Sequence, residues 1–78
     1  MKLVGDILSV NVADESILAN AKYSVSSGRG KDAVRLAADE ALAGKETRLA
    51  SASEKGTEYD VVVTLENYAP LKAKVTAE

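Results

Sequence analysis

Residues 26–45 read SSGRGKDAVRLAADEALAGK, two serines, two glycines and two basic residues leading into an alanine-rich run that stops at Gly44. From about residue 30 to 43 the run has a helical period. Counted from Val34, the residues Ala37, Ala38, Ala41 and Leu42 share one face, while Asp32, Arg35, Leu36 and Asp39 lie opposite. Gly44 is a stop signal at C′, and Lys45 complements the negative end of a helix. A stripe made mostly of alanine lets a helix lie close on a sheet. The stretch predicts one helix over 30–43.

On both sides of it the chain reads as strands. Residues 2–13 carry Val4, Leu8, Val10 and Val12 at one parity, with Leu3 and Ile7 at the other and Gly5 suggesting a bulge between them. Asp14-Glu15-Ser16 predicts a turn. Residues 17–26 alternate, with Ile17, Ala19, Ala21, Tyr23 and Val25 on one side, which predicts a hairpin with the first strand. A weaker strand is expected over 46–54, then a hairpin turn at Glu54-Lys55-Gly56-Thr57. Residues 58–66 put Tyr59, Val61, Val63 and Leu65 on one face, and residues 71–77 do the same with Leu71, Ala73, Val75 and Ala77. Pro70 and the outward Lys72 and Lys74 mark that last strand as an edge. The expectation is a single α+β domain over residues 1–78, β-β-α-β-β-β, with one helix packed on an antiparallel sheet.

Composition narrows the function. The chain has 78 residues and neither Cys nor His. Disulfides, thiolate zinc sites, imidazole bases and the Ser-His-Asp triad are thereby excluded. Ten basic and twelve acidic residues leave a net charge of −2, which lacks the basic balance of a general nucleic-acid binder. No apolar run approaches the ~18 residues of a membrane span. Met1-Lys2-Leu3-Val4-Gly5-Asp6 turns acidic too early for a signal peptide, so cytoplasmic residence is expected. A core built from alanine, without Phe or Trp, favours association, and a homodimer is one expected form of it.

The candidate sites divide by chemistry. Gly28-Arg29-Gly30-Lys31 has the look of an anion grip, but Asp32 follows where a phosphate loop needs a hydroxyl, so the segment reads as a corner with free backbone. Asp39 and Glu40 are adjacent on the expected helix and diverge, and Glu58 and Asp60 share the outward face of one strand. Neither pair makes an acid–base site, and no catalytic residue, metal site or cofactor is expected. Tyr23 and Tyr59 read as core residues with a hydroxyl at the rim, and Tyr68 as an exposed contact residue. Leu36, apolar on the outer helix face, is another contact candidate.

Two resemblances bear on function. The run GRGKDAVRLAADEAL resembles the end of double-stranded RNA-binding domains, with Lys31, Ala33, Ala37, Ala38, Ala41 and Leu42 at matching places. Asp32 and Val34 replace that family's phosphate-binding lysines, its first helix is missing, and strands follow where it ends. This implies, as an alternative, a ββα nucleic-acid module using Arg29, Lys31 and Arg35. More broadly, ILANAKYSVSS, KDAVRLAADEALAG and TEYDVVVTLEN resemble in size, acidity and element order the small anti-CRISPR proteins of phages. That resemblance implies a non-enzymatic inhibitor that docks on a CRISPR effector complex and blocks target DNA. That group shares no common motif, so no residue is carried over from it; by charge, either Asp32, Asp39 and Glu40 on the helix or Glu58, Asp60 and Glu66 on the strand would compete for a basic groove, with Leu36 and Tyr68 as apolar and aromatic contact candidates. A protein partner is expected, not a membrane and not nucleic acid directly. Residues 17–66 are also similar in order to dodecins, small flavin-storing shells, although their flavin-stacking tryptophan is missing here. A homo-oligomeric carrier sheet protein is therefore a further alternative.

Overall fold

The computed structural model describes residues 1–28 and 30–78. Its strands are β1 (Lys2–Val4), β2 (Ile7–Ser9), β3 (Lys22–Ser27), β4 (Val34–Ala41), β5 (Glu46–Arg48), β6 (Glu58–Thr64) and β7 (Leu71–Thr76). Two short 3-10 turns, Glu15–Leu18 and Gly30–Asp32, interrupt the connections. The strands form a three-stranded antiparallel sheet, β1-β2-β5, and a four-stranded antiparallel sheet, β4-β3-β6-β7.

The expected α+β architecture is corrected to an all-β sandwich, because residues 34–41 are strand β4 and not a helix. Five positions of the supposed apolar stripe do not share a burial. Val34 is 53 % exposed, Ala38 and Ala41 are exposed, Leu42 is half-buried and only Ala37 is buried. A helix this short draws its stability from packing, and a stripe of alanine has little area to bury. As a strand the same residues satisfy their backbone against β3. Two register shifts, between Tyr23 and Val25 and between Val25 and Ser26, pass over Ala38-Asp39 and Leu36. Those bulges erase the alternation by which a strand is recognised.

Other boundaries change too. The expected first strand is a tight β1–β2 hairpin, turning at Gly5 with φ 57°, a value that suits glycine. Residues 15–18 form a 3-10 turn capped by Asp14, whose Oδ1 accepts from the Ser16 N–H at 2.9 Å. Hydrogen bonding from Ser16, by its side chain first and by this N–H second, holds the Asp14 carboxyl below the usual carboxylate range. The strand expected over 17–26 starts only at Lys22, and the one expected over 46–54 ends at Arg48. The turn at 54–57 is present, with the Thr57 N–H donating to the Glu54 carbonyl at 3.0 Å, but it joins the two sheets and closes no hairpin. The alternation of β6 and β7 is as expected, and β7 is an edge strand.

The core lies between the sheets. Leu3 and Leu8 face Val25, Val61 and Val63 in one apolar cluster, joined by Tyr23, Tyr59, Leu49 and Val75. The order matches an immunoglobulin-like sandwich in which β1, β2 and β5 take the A, B and E places and β3, β6 and β7 take C, F and G. β4 lies beside β3. Tyr59, at the start of β6, completes a tyrosine corner by accepting the Glu54 N–H at 2.9 Å. One flank is seamed, with the Glu78 N–H donating to the Leu3 carbonyl at 2.9 Å. On the opposite flank β4 and β5 belong to different sheets, and there the sandwich stays open.

Candidate binding cleft

The open flank holds a cleft of about 440 Å³. It is lined by Leu36, Ala37, Glu40 and Ala41 of β4, by Thr47, Arg48, Leu49 and Ala50 of β5 and its following loop, and by Tyr23 of β3. Its position follows from the bulges. The bulge between the Tyr23 and Val25 pairings absorbs Ala38-Asp39, so Glu40 falls opposite Tyr23 on the inner face of the sheet. Asp39 turns outward, with φ 51°, and its N–H donates to Ser24 Oγ at 2.9 Å. Its carboxylate lies 3.7 Å from Lys22 Nζ.

The polar groups of the cleft differ in how they are engaged. Thr47 is buried and holds the β4–β5 link, accepting from the Ala43 N–H at 3.1 Å and donating to the Gly44 carbonyl at 3.5 Å. Arg48 Nε lies 3.2 Å from Asp6 Oδ2. Tyr23 is 4 % exposed, and burial first, then the charge of Glu40, pushes its phenol above its ordinary range. Glu40 has no ion-pair partner among the described residues.

The residues proposed from sequence scatter over the molecule. Leu36 and Glu40 meet in the cleft, not on a helix surface. Asp32 and Lys31 are exposed in the 3-10 turn between β3 and β4. Gly28 and Gly30, with φ 84° and 63°, reverse the chain there, and a Cβ at Gly28 would meet the Asp32 carbonyl oxygen at 3.3 Å. Arg29 lies outside the described residues. Arg35 stands on β4 across Ser26 from Asp60, so the basic group of the nucleic-acid alternative has no helix to present it. Glu58 and Asp60 are on the outer face of β6, where a shallower hollow of about 420 Å³ is bordered by Asp60, Val62, Lys72 and Lys74. Glu66 and Tyr68 share the β6–β7 loop. Glu66 Oε2 accepts from Asn20 Nδ2 at 3.2 Å, and Tyr68 is 61 % exposed. Among the described residues no group of three or more carboxylates comes together to hold a metal. Sequence reasoning passed over Arg48 and Leu49, whose place in the cleft depends on which sheet β5 joins.

No family model matches the chain, and no curated protein does. A solved structure is similar to it: Tp47, the 47-kilodalton lipoprotein of Treponema pallidum. The two share 29 % identity at a TM-score of 0.84, over 97 % of this chain and 18 % of that one. This chain thus spans less than a fifth of the lipoprotein's length. Element order no longer contributes to the anti-CRISPR resemblance, since KDAVRLAADEALAG is largely strand, and nothing else found bears on it. No helix of the described residues is long and apolar enough to cross a membrane.

Proposed function

We propose that the chain is a non-enzymatic sandwich module that binds a protein partner, similar to one segment of the larger lipoprotein Tp47. The observation that carries this reading is the end-to-end likeness: 97 % of the chain aligns with 18 % of Tp47, as a module within a longer protein would. Loops at one end of a sandwich are a common contact surface. Here the β6–β7 loop carries the exposed Tyr68, and the Asn20–Glu66 hydrogen bond ties that loop to the β2–β3 connection. A tyrosine offers contact area at low entropic cost.

Photo-crosslinking tests the proposal. A benzophenone amino acid is placed at position 68, or at position 60 on the outer sheet face as a control, and the purified protein is irradiated in lysate of its source cells. A discrete adduct from position 68, competed by unmodified protein, is the expected result. Adducts that are absent, or equal from both positions, would remove the proposed contact end. Purified CRISPR effector subunits form a separate arm, and an adduct there would identify the partner as an effector.

A further inference from the structure

The open flank of the sandwich has one property that a packing defect does not require: its two lining charges, Glu40 and Arg48, are unequally engaged. Arg48 is matched by Asp6, and the Thr47 hydroxyl is committed to the backbone of the β4–β5 link. That leaves Glu40 as the one lining charge without a counter-ion among the described residues, opposite Tyr23 in the strand register and in a cleft also lined by Leu36, Ala37, Ala41 and Leu49. A volume of about 440 Å³ lies within the range of small-ligand sites. We propose that this cleft binds a primary alkylammonium, with its nitrogen on the Glu40 carboxylate beside the Tyr23 phenol and its carbon stem along Leu36, Ala37 and Leu49.

Each part of that ligand answers a feature of the site. An ammonium donates only, and the lining offers a carboxylate and a phenol on paired residues, both able to accept. Glu40 is itself exposed at the cleft, so its carboxylate is open to an incoming cation, and an ionised acceptor makes the stronger class of hydrogen bond. The apolar lining matches a saturated chain, whereas a sugar would find few polar groups along it. A single carboxylate and one phenol are too few donors for a divalent cation. The same chemistry has two sources, a free amine or a lysine side chain of another polypeptide.

The test is an NMR titration of the labelled protein at neutral pH with n-hexylamine, hexan-1-ol, hexanoate and Nα-acetyl-lysine methylamide. Hexylammonium is expected to move the amide signals of residues 36–41 and 47–50. Glu40→Gln is expected to weaken that binding by about tenfold or more, in line with the loss of a charge-assisted bond. Asp39→Asn, on the opposite face of β4, is expected to leave it unchanged. Tighter binding of the acetyl-lysine amide than of hexylamine assigns the source to a polypeptide lysine; the reverse assigns it to a free amine. Equal shifts from hexanol would reduce the cleft to an apolar groove, preference for hexanoate would place control with Arg48, and no shift from any probe would leave no site. Each of these three outcomes overturns the proposal, and all are read independently of the crosslinking at position 68.

Discussion

At the scale of single residues, two tyrosines show how far one hydroxyl reaches. The Tyr59 oxygen accepts the Glu54 N–H at 2.9 Å and fixes the corner by which the chain passes from one sheet to the other. Tyr59→Phe keeps the ring and strands that N–H. The expected loss is about 1 kcal/mol, read as a drop of about 4–8 °C in Tm. No loss would mean the corner is held by packing alone. Tyr23 has no such anchor and reports the cleft instead. Its phenol is pushed above the ordinary value of 10.0 by burial and by Glu40. The neutral phenol is thus favoured in the folded state, and the stability it contributes is whole below about pH 10 and is lost as pH rises through the elevated folded value. Urea midpoints at about pH 8 and about pH 11 are expected to fall further apart for the wild type than for Tyr23→Phe. A variant with the same pH dependence as the wild type would contradict the shift.

At the scale of elements, β4 carries most of what is new. Asp39 sits at φ 51° inside a bulge, a conformation that aspartate tolerates and β-branched residues resist. Asp39→Val is expected to cost about 1–2 kcal/mol, while Asp39→Gly stays near neutral, both measured by urea unfolding. Equal costs for the two would show that backbone geometry at this bulge is not limiting. The same bulge explains what could be read in the sequence. β6 was legible because Tyr59, Val61, Val63 and Leu65 keep a strict alternation and are all buried, and β7 because half-buried or buried Leu71, Ala73 and Val75 alternate with exposed Lys72, Lys74 and Thr76. The stretch from Ala21 to Val25 was legible for the same reason. β4 was not, because skipping Leu36 and Ala38-Asp39 leaves alanines at a spacing that imitates a helix. The short β1, β2 and β5 were legible only in part, since three residues hold too little pattern to place an end. In the cleft, Glu40 and Leu36 were named for surface roles, and their meeting with Tyr23 depends on a register that sequence does not print.

At the scale of the whole molecule, one apolar cluster joins both sheets, and the seam from Leu3 to Glu78 ties the first strand to the last. A domain of this size with one core is expected to unfold in a single step with a stability of roughly 3–5 kcal/mol. Leu8 is fully buried in the small sheet. Removing its side chain as Leu8→Ala is expected to cost about 2–5 kcal/mol, comparable with the total. Far-UV circular dichroism and tyrosine fluorescence are expected to give coincident urea transitions for the wild type and a largely unfolded Leu8→Ala protein near 37 °C. Separate transitions would mean the two sheets fold apart.

The claim on which the cleft, the open flank and the sandwich all depend is that residues 34–41 are a bulged strand beside β3. Backbone NMR of the uniformly labelled protein tests it directly. Carbon secondary shifts of strand type across this segment, with cross-strand contacts joining Ser26 to Arg35 and Val25 to Ala37, are the predicted result. Helical shifts from residue 31 to 43, with sequential contacts three residues apart and none to β3, would contradict it.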